Sequence, residues 1–132
     1  MKYMLLLHAP NGGPDQWSDA KAEQLLLDYT EATAAMRAAG VLIDCGPLTA
    51  ASDATTVRVR DGEVLLTDGP AAELREQIGG FTLIDCEGLD EALRWAARIP
   101  AAASGWVEVR PLLATPDPRA AAGARVRTGA AS

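Results

Sequence analysis

The stretch Thr67-Asp68-Gly69-Pro70-Ala71-Ala72-Glu73-Leu74-Arg75-Glu76-Gln77-Ile78-Gly79-Gly80-Phe81-Thr82-Leu83-Ile84-Asp85 joins a tight turn to an apolar run. Asp-Gly-Pro favours a turn because Gly tolerates a positive φ and Pro fixes φ at about −65°. The short run at 81–86 predicts a strand, and Gly79-Gly80 is expected to free the backbone just before it. A carboxylate is therefore expected at a turn that directly follows a strand.

The rest of the chain alternates between short apolar runs and helical patterns. Apolar residues recur at three- and four-residue steps across 20–39 and again across 89–99, which predicts two helices. Ser18 is placed to cap the first helix and Gly40 to end it, and Pro100 stops the second. Asp61-Gly62 is typical of a two-residue hairpin turn. The predicted strands cover residues 3–7, 41–45, 55–60, 63–67, 81–86 and 106–110.

This order of elements predicts an α+β fold, a ferredoxin-like βαββαβ arrangement with an inserted β-hairpin. Both helices would cover one face of the sheet and leave an apolar face too large for a monomer to expose. Two sheets packed face to face remove that exposure, so we predict a homodimer that forms a dimeric α+β barrel. The domain is expected to span residues 1–113, and the Ala-, Pro-, Gly- and Arg-containing segment 114–132 to be a mobile tail.

Composition and charge exclude several classes of protein. The chain has 132 residues, enough for one domain, and a formal net charge of −6. Nucleic acid is a poor partner for such a chain because binding to phosphates requires clustered Lys and Arg. No apolar run approaches the roughly 20 residues that span a bilayer, and no signal peptide is visible, so we expect no membrane partner and a cytoplasmic location. One His and two Cys without a CxxC pattern argue against zinc, and no cofactor motif is present.

Two residues are candidates for acid–base chemistry. His8, the single histidine, is predicted to end the first strand, where a strand exit often borders a cleft. Its imidazole could act as a general acid or base, or it is simply a polar residue at a strand exit. Asp68, held by the Gly-Pro turn, could orient His8 or accept a proton, or it could cap its own backbone in an Asx turn.

Four further residues are candidates for contacts with a substrate, and each has a structural alternative. Arg58 could clamp an anion, although it also suits a solvated strand face. Glu73 could share a face with Asp68, or it could be solvated. Asp44 is a possible acid if it points inward and an ordinary surface residue if it points outward. Tyr29 could present its hydroxyl to a cleft, although its place on the apolar stripe predicts a core position first.

The chain resembles the DGPF-type branch of the YCII-related proteins along most of its length. The matching pieces are 1–7, 38–42, 54–58, 67–70, 76–81, 83–85, 90–93, 96–100 and 107–111. The resemblance implies a dimeric α+β barrel of ferredoxin-like subunits. The chain has Ala71 where the signature has Phe, so a bulky apolar wall is missing. Some relatives are proposed to use a His–Asp pair with the His on the first helix, where this chain has Tyr29.

Two classes of function follow from these observations. The first is a cofactor-independent dimeric protein that binds an unknown small organic molecule and transfers protons in an elimination, isomerisation or hydrolysis. His8 and Asp68 would then form the acid–base pair. The alternative, which the resemblance implies, is a non-catalytic regulatory or sensory module associated with an extracytoplasmic-function sigma factor.

Overall fold

The computed structural model describes residues 1–10, 18–70 and 76–114. The strands within these ranges are β1 (Lys2–Pro10), β2 (Leu42–Pro47), β3 (Thr55–Arg60), β4 (Glu63–Asp68), β5 (Glu76–Asp85) and β6 (Trp106–Pro111). The α-helices are α1 (Asp19–Ala38), α2 (Leu89–Ala97) and α3 (Ala101–Ser104), and Ala51–Asp53 forms one 3₁₀ turn. The predicted tail beyond Ala114 lies outside the described residues.

Four of the strands form one antiparallel sheet in the order β2-β5-β1-β6. Strand β5 lies between β1 and β2, and β1 lies between β5 and β6, so each βαβ unit is split by a strand of the other. This is the ferredoxin-like topology, which confirms the predicted fold class. Strands β3 and β4 form a separate two-stranded sheet. The homodimer stays a prediction.

Helix α1 begins and ends where its local signals place it. The Ser18 side chain accepts a hydrogen bond of 3.2 Å from the backbone N–H of Lys21, which satisfies one of the free donors of the first turn. Asp19 adds a negative charge at the positive end of the helix dipole. After the helix, Gly40 has a φ of 74°, the left-handed conformation that glycine adopts at low cost.

The buried stripe of α1 differs in part from the predicted one. Leu25 and Tyr29 are partly buried and Met36 is fully buried, as the helical period predicts. Leu26 is 67% exposed, although it belongs to the same apolar run. Adjacent helical positions are about 100° apart, so Leu25 and Leu26 cannot both face a flat sheet.

The core lies between the helices and one face of the four-stranded sheet. Alternate residues of β1, namely Tyr3, Leu5 and Leu7, face the helices, and Leu5 is completely buried. The other buried apolar residues of this cluster are Met36, Val41, Ile84, Cys86, Ala92, Ala96, Ile99 and Ala101. No helix of the described ranges is long and apolar enough to cross a membrane.

The second helical segment is shorter than predicted and is followed by a further turn of helix. Helix α2 ends at Ala97 rather than at Ile99, and α3 begins directly after Pro100. Pro100 has no N–H and its φ is −53°, so it suits the start of a helix and not its interior. The break lets Ile99 and Ala101 both enter the core.

The hairpin follows its sequence signal. Asp61 and Gly62 have φ values of 51° and 78°, the positive angles that a tight turn between right-twisted strands requires. The turn pairs Arg60 with Glu63, and the ladder continues to Thr55 opposite Asp68. The predicted hairpin is therefore confirmed to within one residue.

The prediction that Gly79-Gly80 frees the backbone before the fifth strand is wrong. Gly79 and Gly80 do not free the backbone ahead of the strand but lie inside β5. A Cβ on Gly80 would lie 2.9 Å from the Gly46 carbonyl oxygen and 3.4 Å from the Pro47 Cα. Glycine is required here for the close approach of β2, which runs to Pro47 rather than ending at Cys45.

Replacing Leu5 by alanine is expected to lower the free energy of unfolding by about 2–5 kcal/mol, because it leaves a cavity in a fully buried site. Urea denaturation checks this. Leu26→Ala is the matched control and should change stability by no more than about 0.5 kcal/mol, because Leu26 is 67% exposed. Equal losses in the two variants would contradict the described core.

Candidate functional site

The sheet face opposite the helices carries the candidate site. Side chains alternate along β1, so Met4, Leu6 and His8 point away from the helices. On β5, Leu83 pairs with Met4 and Phe81 pairs with Leu6, so both lie on the same face. These apolar residues are only partly buried. We call this surface, made of Met4, Leu6, His8, Phe81 and Leu83 with the outward residues of β6, the open face.

His8 is paired with Trp106 across the ladder between β1 and β6. Their rings are stacked, with centroids 5.4 Å apart and an angle of 21° between the ring planes. The next outward residue of β6 is Glu108, whose Oε1 lies 3.6 Å from His8 Nε2. Its other oxygen lies 3.7 Å from Arg110 Nε. His8, Trp106, Glu108 and Arg110 form what we call the His8 cluster.

The imidazole of His8 is largely buried and incompletely hydrogen-bonded. Its side chain is 14% exposed, and Nε2 is buried without a hydrogen-bond partner. The carboxylate of Glu108 at 3.6 Å is too far for a hydrogen bond but close enough to attract a protonated ring. Buried polar atoms are nearly always hydrogen-bonded, so the unpaired Nε2 is an exception that the described residues leave unexplained.

The ladder between β1 and β5 is irregular directly beside His8. The register of β1 against β5 shifts between Leu7 and His8, so that Leu7 pairs with Gly80 and His8 pairs with Ile78. Gly79 is the extra residue of this bulge. Bulges are common next to functional sites, and this one lies beside His8 at the edge of the open face.

His8 was predicted to end the first strand, and this is wrong. Strand β1 continues to Pro10, because the residues after the bulge still pair with Gln77 and Glu76. His8 therefore lies within a paired strand, on the sheet surface rather than in a loop. The sequence gives no local sign of this, since the pairing depends on a distant segment of chain.

Asp68 is placed in the separate hairpin, where it pairs with Thr55 and its side chain is exposed. The carboxylate that the structure sets beside His8 is that of Glu108. A direct pair between His8 and Asp68 stays a prediction. The sequence predicts a strand at 106–110, but the register between β1 and β6, which selects Glu108, has no sequence signal.

The turn that follows Asp68 closes the base of the hairpin. Gly69 has a φ of 90°, and its N–H donates a hydrogen bond of 2.7 Å to the Ala54 carbonyl. The hydroxyl of Thr56 donates to the Gly69 carbonyl, also at 2.7 Å. Both backbone groups of Gly69 are thus tied to the start of β3, which gives the Asp-Gly-Pro turn a structural role.

The other predicted substrate contacts that the structure describes do not join the His8 cluster. Asp44 points outward and is exposed, and its Oδ1 accepts a hydrogen bond of 2.8 Å from the N–H of Cys45. Arg58 is exposed on the hairpin. Glu73 lies outside the described residues. Their roles as substrate contacts stay predictions, as does that of Tyr29, on the helix side of the sheet.

Tyr29, a residue of α1, packs against the core between the helices and the sheet. Burial raises the pKa of its phenol, while a backbone hydrogen bond with Ala101 acts in the opposite direction. Nearby, an open groove of about 620 Å³ runs between α1 and the α2–α3 segment, with Asp28 and Glu31 on one wall and Arg98 on the other. The groove and the His8 cluster lie on opposite faces of the sheet.

Proton transfer and hydrogen bonding are the chemistry that the His8 cluster supports. It combines an imidazole, a carboxylate and a guanidinium beside an apolar surface. Within residues 1–10, 18–70 and 76–114, no group of three or more His, Cys, Asp or Glu side chains is arranged to hold a metal ion.

Gly105→Ala is expected to lower stability by about 1–3 kcal/mol and to displace His8, because the added Cβ would collide with the His8 carbonyl and approach Ala9. Urea denaturation and the chemical shifts of the His8 ring measure the two effects. Gly88→Ala is the control, since a Cβ there meets nothing within 4 Å. Unchanged His8 shifts in Gly105→Ala would contradict this packing.

Tyr29→Phe is expected to reduce the loss of stability at alkaline pH. The raised pKa means that the unfolded chain ionises at this tyrosine first, from about pH 10, so the folded state loses stability as the pH rises further. Below that pH the contribution is fully present. Unfolding free energies at several pH values between 8 and 11 test this, and parallel curves for the two proteins would refute it.

Comparison with known proteins gives the family. The YCII-related domain matches residues 1–116. An uncharacterised protein of Rhizobium meliloti (strain 1021) is 37% identical over 114 residues, which covers 85% of this chain and 92% of that protein. Assignment to the DGPF-type branch stays a prediction. The match over most of the chain, together with the split βαβ topology, shows that the protein belongs to the YCII-related family.

Proposed function

We propose that the protein binds a small organic molecule on the open face and transfers a proton to or from it through His8. The observation that carries this proposal is the buried, unpartnered Nε2 of His8, with a carboxylate oxygen of Glu108 at 3.6 Å. Acid–base chemistry of this kind uses side chains alone, so the proposal needs no cofactor.

The roles of the residues follow from their positions. Neutral His8 accepts a proton at Nε2, and the Glu108 carboxylate stabilises the imidazolium that forms. The guanidinium of Arg110 lies 3.7 Å from the second oxygen of Glu108 and helps to orient the carboxylate. Trp106 fixes the plane of the imidazole by stacking on it. The reactions that such a pair serves are elimination, isomerisation and hydrolysis, each of which includes a proton-transfer step.

The apolar part of the open face supplies the binding surface. Leu6, Phe81 and Leu83 are partly exposed beside the cluster, so they can contact the hydrocarbon part of a ligand. Solvent reaches the cluster at Trp106, which is 46% exposed, and at Glu108, whose side chain is 45% exposed. A ligand entering there displaces water from an apolar surface and meets the ionisable groups at its edge.

The test begins with a search for ligands among small carboxylic acids, phenols and amines by ligand-observed NMR, with product formation followed in the same spectra. For a compound that is converted, His8→Gln is expected to reduce turnover by about 10²–10⁴, the usual contribution of general acid–base catalysis. Glu108→Gln should reduce it in the same direction.

Glu63→Gln is the matched control, because it removes one carboxylate from the exposed hairpin without touching the open face. Unchanged turnover in His8→Gln would refute the proposal. Asp68→Asn tests the other predicted partner of His8.

A compound bound through His8 but never converted would instead support the regulatory class, in which the protein is a sensory module for a partner such as a sigma factor.

A further inference from the structure

The groove on the helix side of the sheet is a second concave surface, apart from the open face. One wall belongs to α1, between Leu25 and Ala32, and the other to the end of α2 and to α3, between Ala97 and Ser104. We call it the helix groove. Its volume of about 620 Å³ lies in the range typical of small-molecule sites. The groove stays open because Ala32, Ala97 and Ala103 on its walls have side chains too short to fill it.

The core of the protein holds the helix groove in shape. Ile99 lines the groove and is only 2% exposed, so its position is fixed by core packing. A hydrogen bond between the Tyr29 phenol and the backbone of Ala101 ties α1 to α3. Pro100, with a φ of −53°, fixes the backbone where α3 begins. A ligand would therefore enter a groove that is already formed.

Opposite charges lie on the two walls of the helix groove. Asp28 and Glu31 line the α1 side and Arg98 lines the other side. In the described part of the chain, neither carboxylate forms an ion pair with Arg98 or with another cation. Local contacts orient two of these groups. Asp28 Oδ1 accepts a hydrogen bond of 2.9 Å from Gln24 Nε2, and the Arg98 guanidinium lies 4.8 Å from the centre of the Trp95 ring.

This arrangement of charge selects the kind of molecule that the groove can hold. A purely cationic ligand would meet Arg98, and a purely anionic one would meet Asp28 and Glu31, so each would be repelled on one side. A ligand that carries both charges meets an opposite charge at each of its ends. Leu25 and Ile99 provide apolar contacts for the part of the ligand that lies between those ends.

We propose that the helix groove binds a small zwitterion, namely an amino acid or a short peptide with an apolar side chain. The ammonium group lies at Asp28 and Glu31, and the carboxylate lies at Arg98, whose planar guanidinium offers parallel N–H donors. The helix groove and the His8 cluster lie on opposite faces of the sheet. This site is therefore independent of the proposed function.

Titration of the ¹⁵N-labelled protein with leucine and with the dipeptide alanyl-leucine tests the proposal by NMR. Binding is expected at concentrations up to about 10 mM, the weak range of a small ligand in an open groove. The amide shifts of Ala32, Ala103 and Ser104 should move, and the two titrations distinguish an amino acid from a peptide. No shift with either compound, or shifts confined to the open face, would overturn the proposal.

Analogues of the compound that binds test the need for both charges. The N-acetyl form lacks the ammonium group, and the C-terminal amide lacks the carboxylate. Each is expected to bind about tenfold more weakly, because a hydrogen bond between charged groups is lost. If either analogue bound as tightly as the zwitterion, recognition of both charges would be ruled out.

Two variants assign each charge to its wall. Asp28→Asn/Glu31→Gln should weaken binding of the zwitterion about tenfold and leave the affinity for the N-acetyl form unchanged. Arg98→Gln should weaken the zwitterion equally and leave the affinity for the amide unchanged. Circular dichroism checks that both variants are folded. Folded variants that keep full affinity for the zwitterion would refute the proposed contacts.

Matched controls remove the same charges outside the helix groove. Glu23→Gln/Glu63→Gln removes two exposed carboxylates, and Arg94→Gln removes an exposed guanidinium of α2. Binding should be unchanged in both, and losses equal to those of the groove variants would show that net charge alone is responsible. His8→Gln should also leave this binding unchanged, so the failure of either proposal is seen separately from that of the other.

Discussion

Everything else in this protein depends on the burial of one side of strand β1. Tyr3, Leu5 and Leu7 alternate along it and enter the same layer as Met36 of α1 and the alanines of α2. Because the strand is central in the sheet, with β5 and β6 hydrogen-bonded on its two sides, this layer fixes the register of both neighbours. A slip of one residue would exchange the two faces of the strand and expose the whole set.

The same constraint determines which residues lie on the opposite side of β1. Once Leu5 and Leu7 face the helices, Leu6 and His8 have to face away from them. The register with β6 then sets Trp106 opposite His8 and Glu108 opposite Leu6. The imidazole, the indole and the carboxylate are therefore brought together by core packing on the far side of the sheet, and no loop is needed to assemble them.

Local signals in the sequence predicted the elements well, because each depends on neighbours in the chain. The cap at Ser18 and the turn at Asp61-Gly62 act over a few residues, and both are found in the structure. The position of His8 and the identity of its carboxylate neighbour could not be predicted in this way. Both depend on pairing with residues about 70 to 100 positions away, and on a bulge that a sequence pattern does not reveal.

The bulge at Gly79 also divides the sheet into two parts that can change independently. On one side of it, Leu7 and Gly80 belong to the tightly packed region, where β2 approaches too closely for any larger residue than glycine. On the other side, Ala9 and Pro10 pair with Gln77 and Glu76 in a short extension of the ladder beyond the bulge. Substitutions in that extension can alter the surroundings of the imidazole while the packed strands keep their alignment.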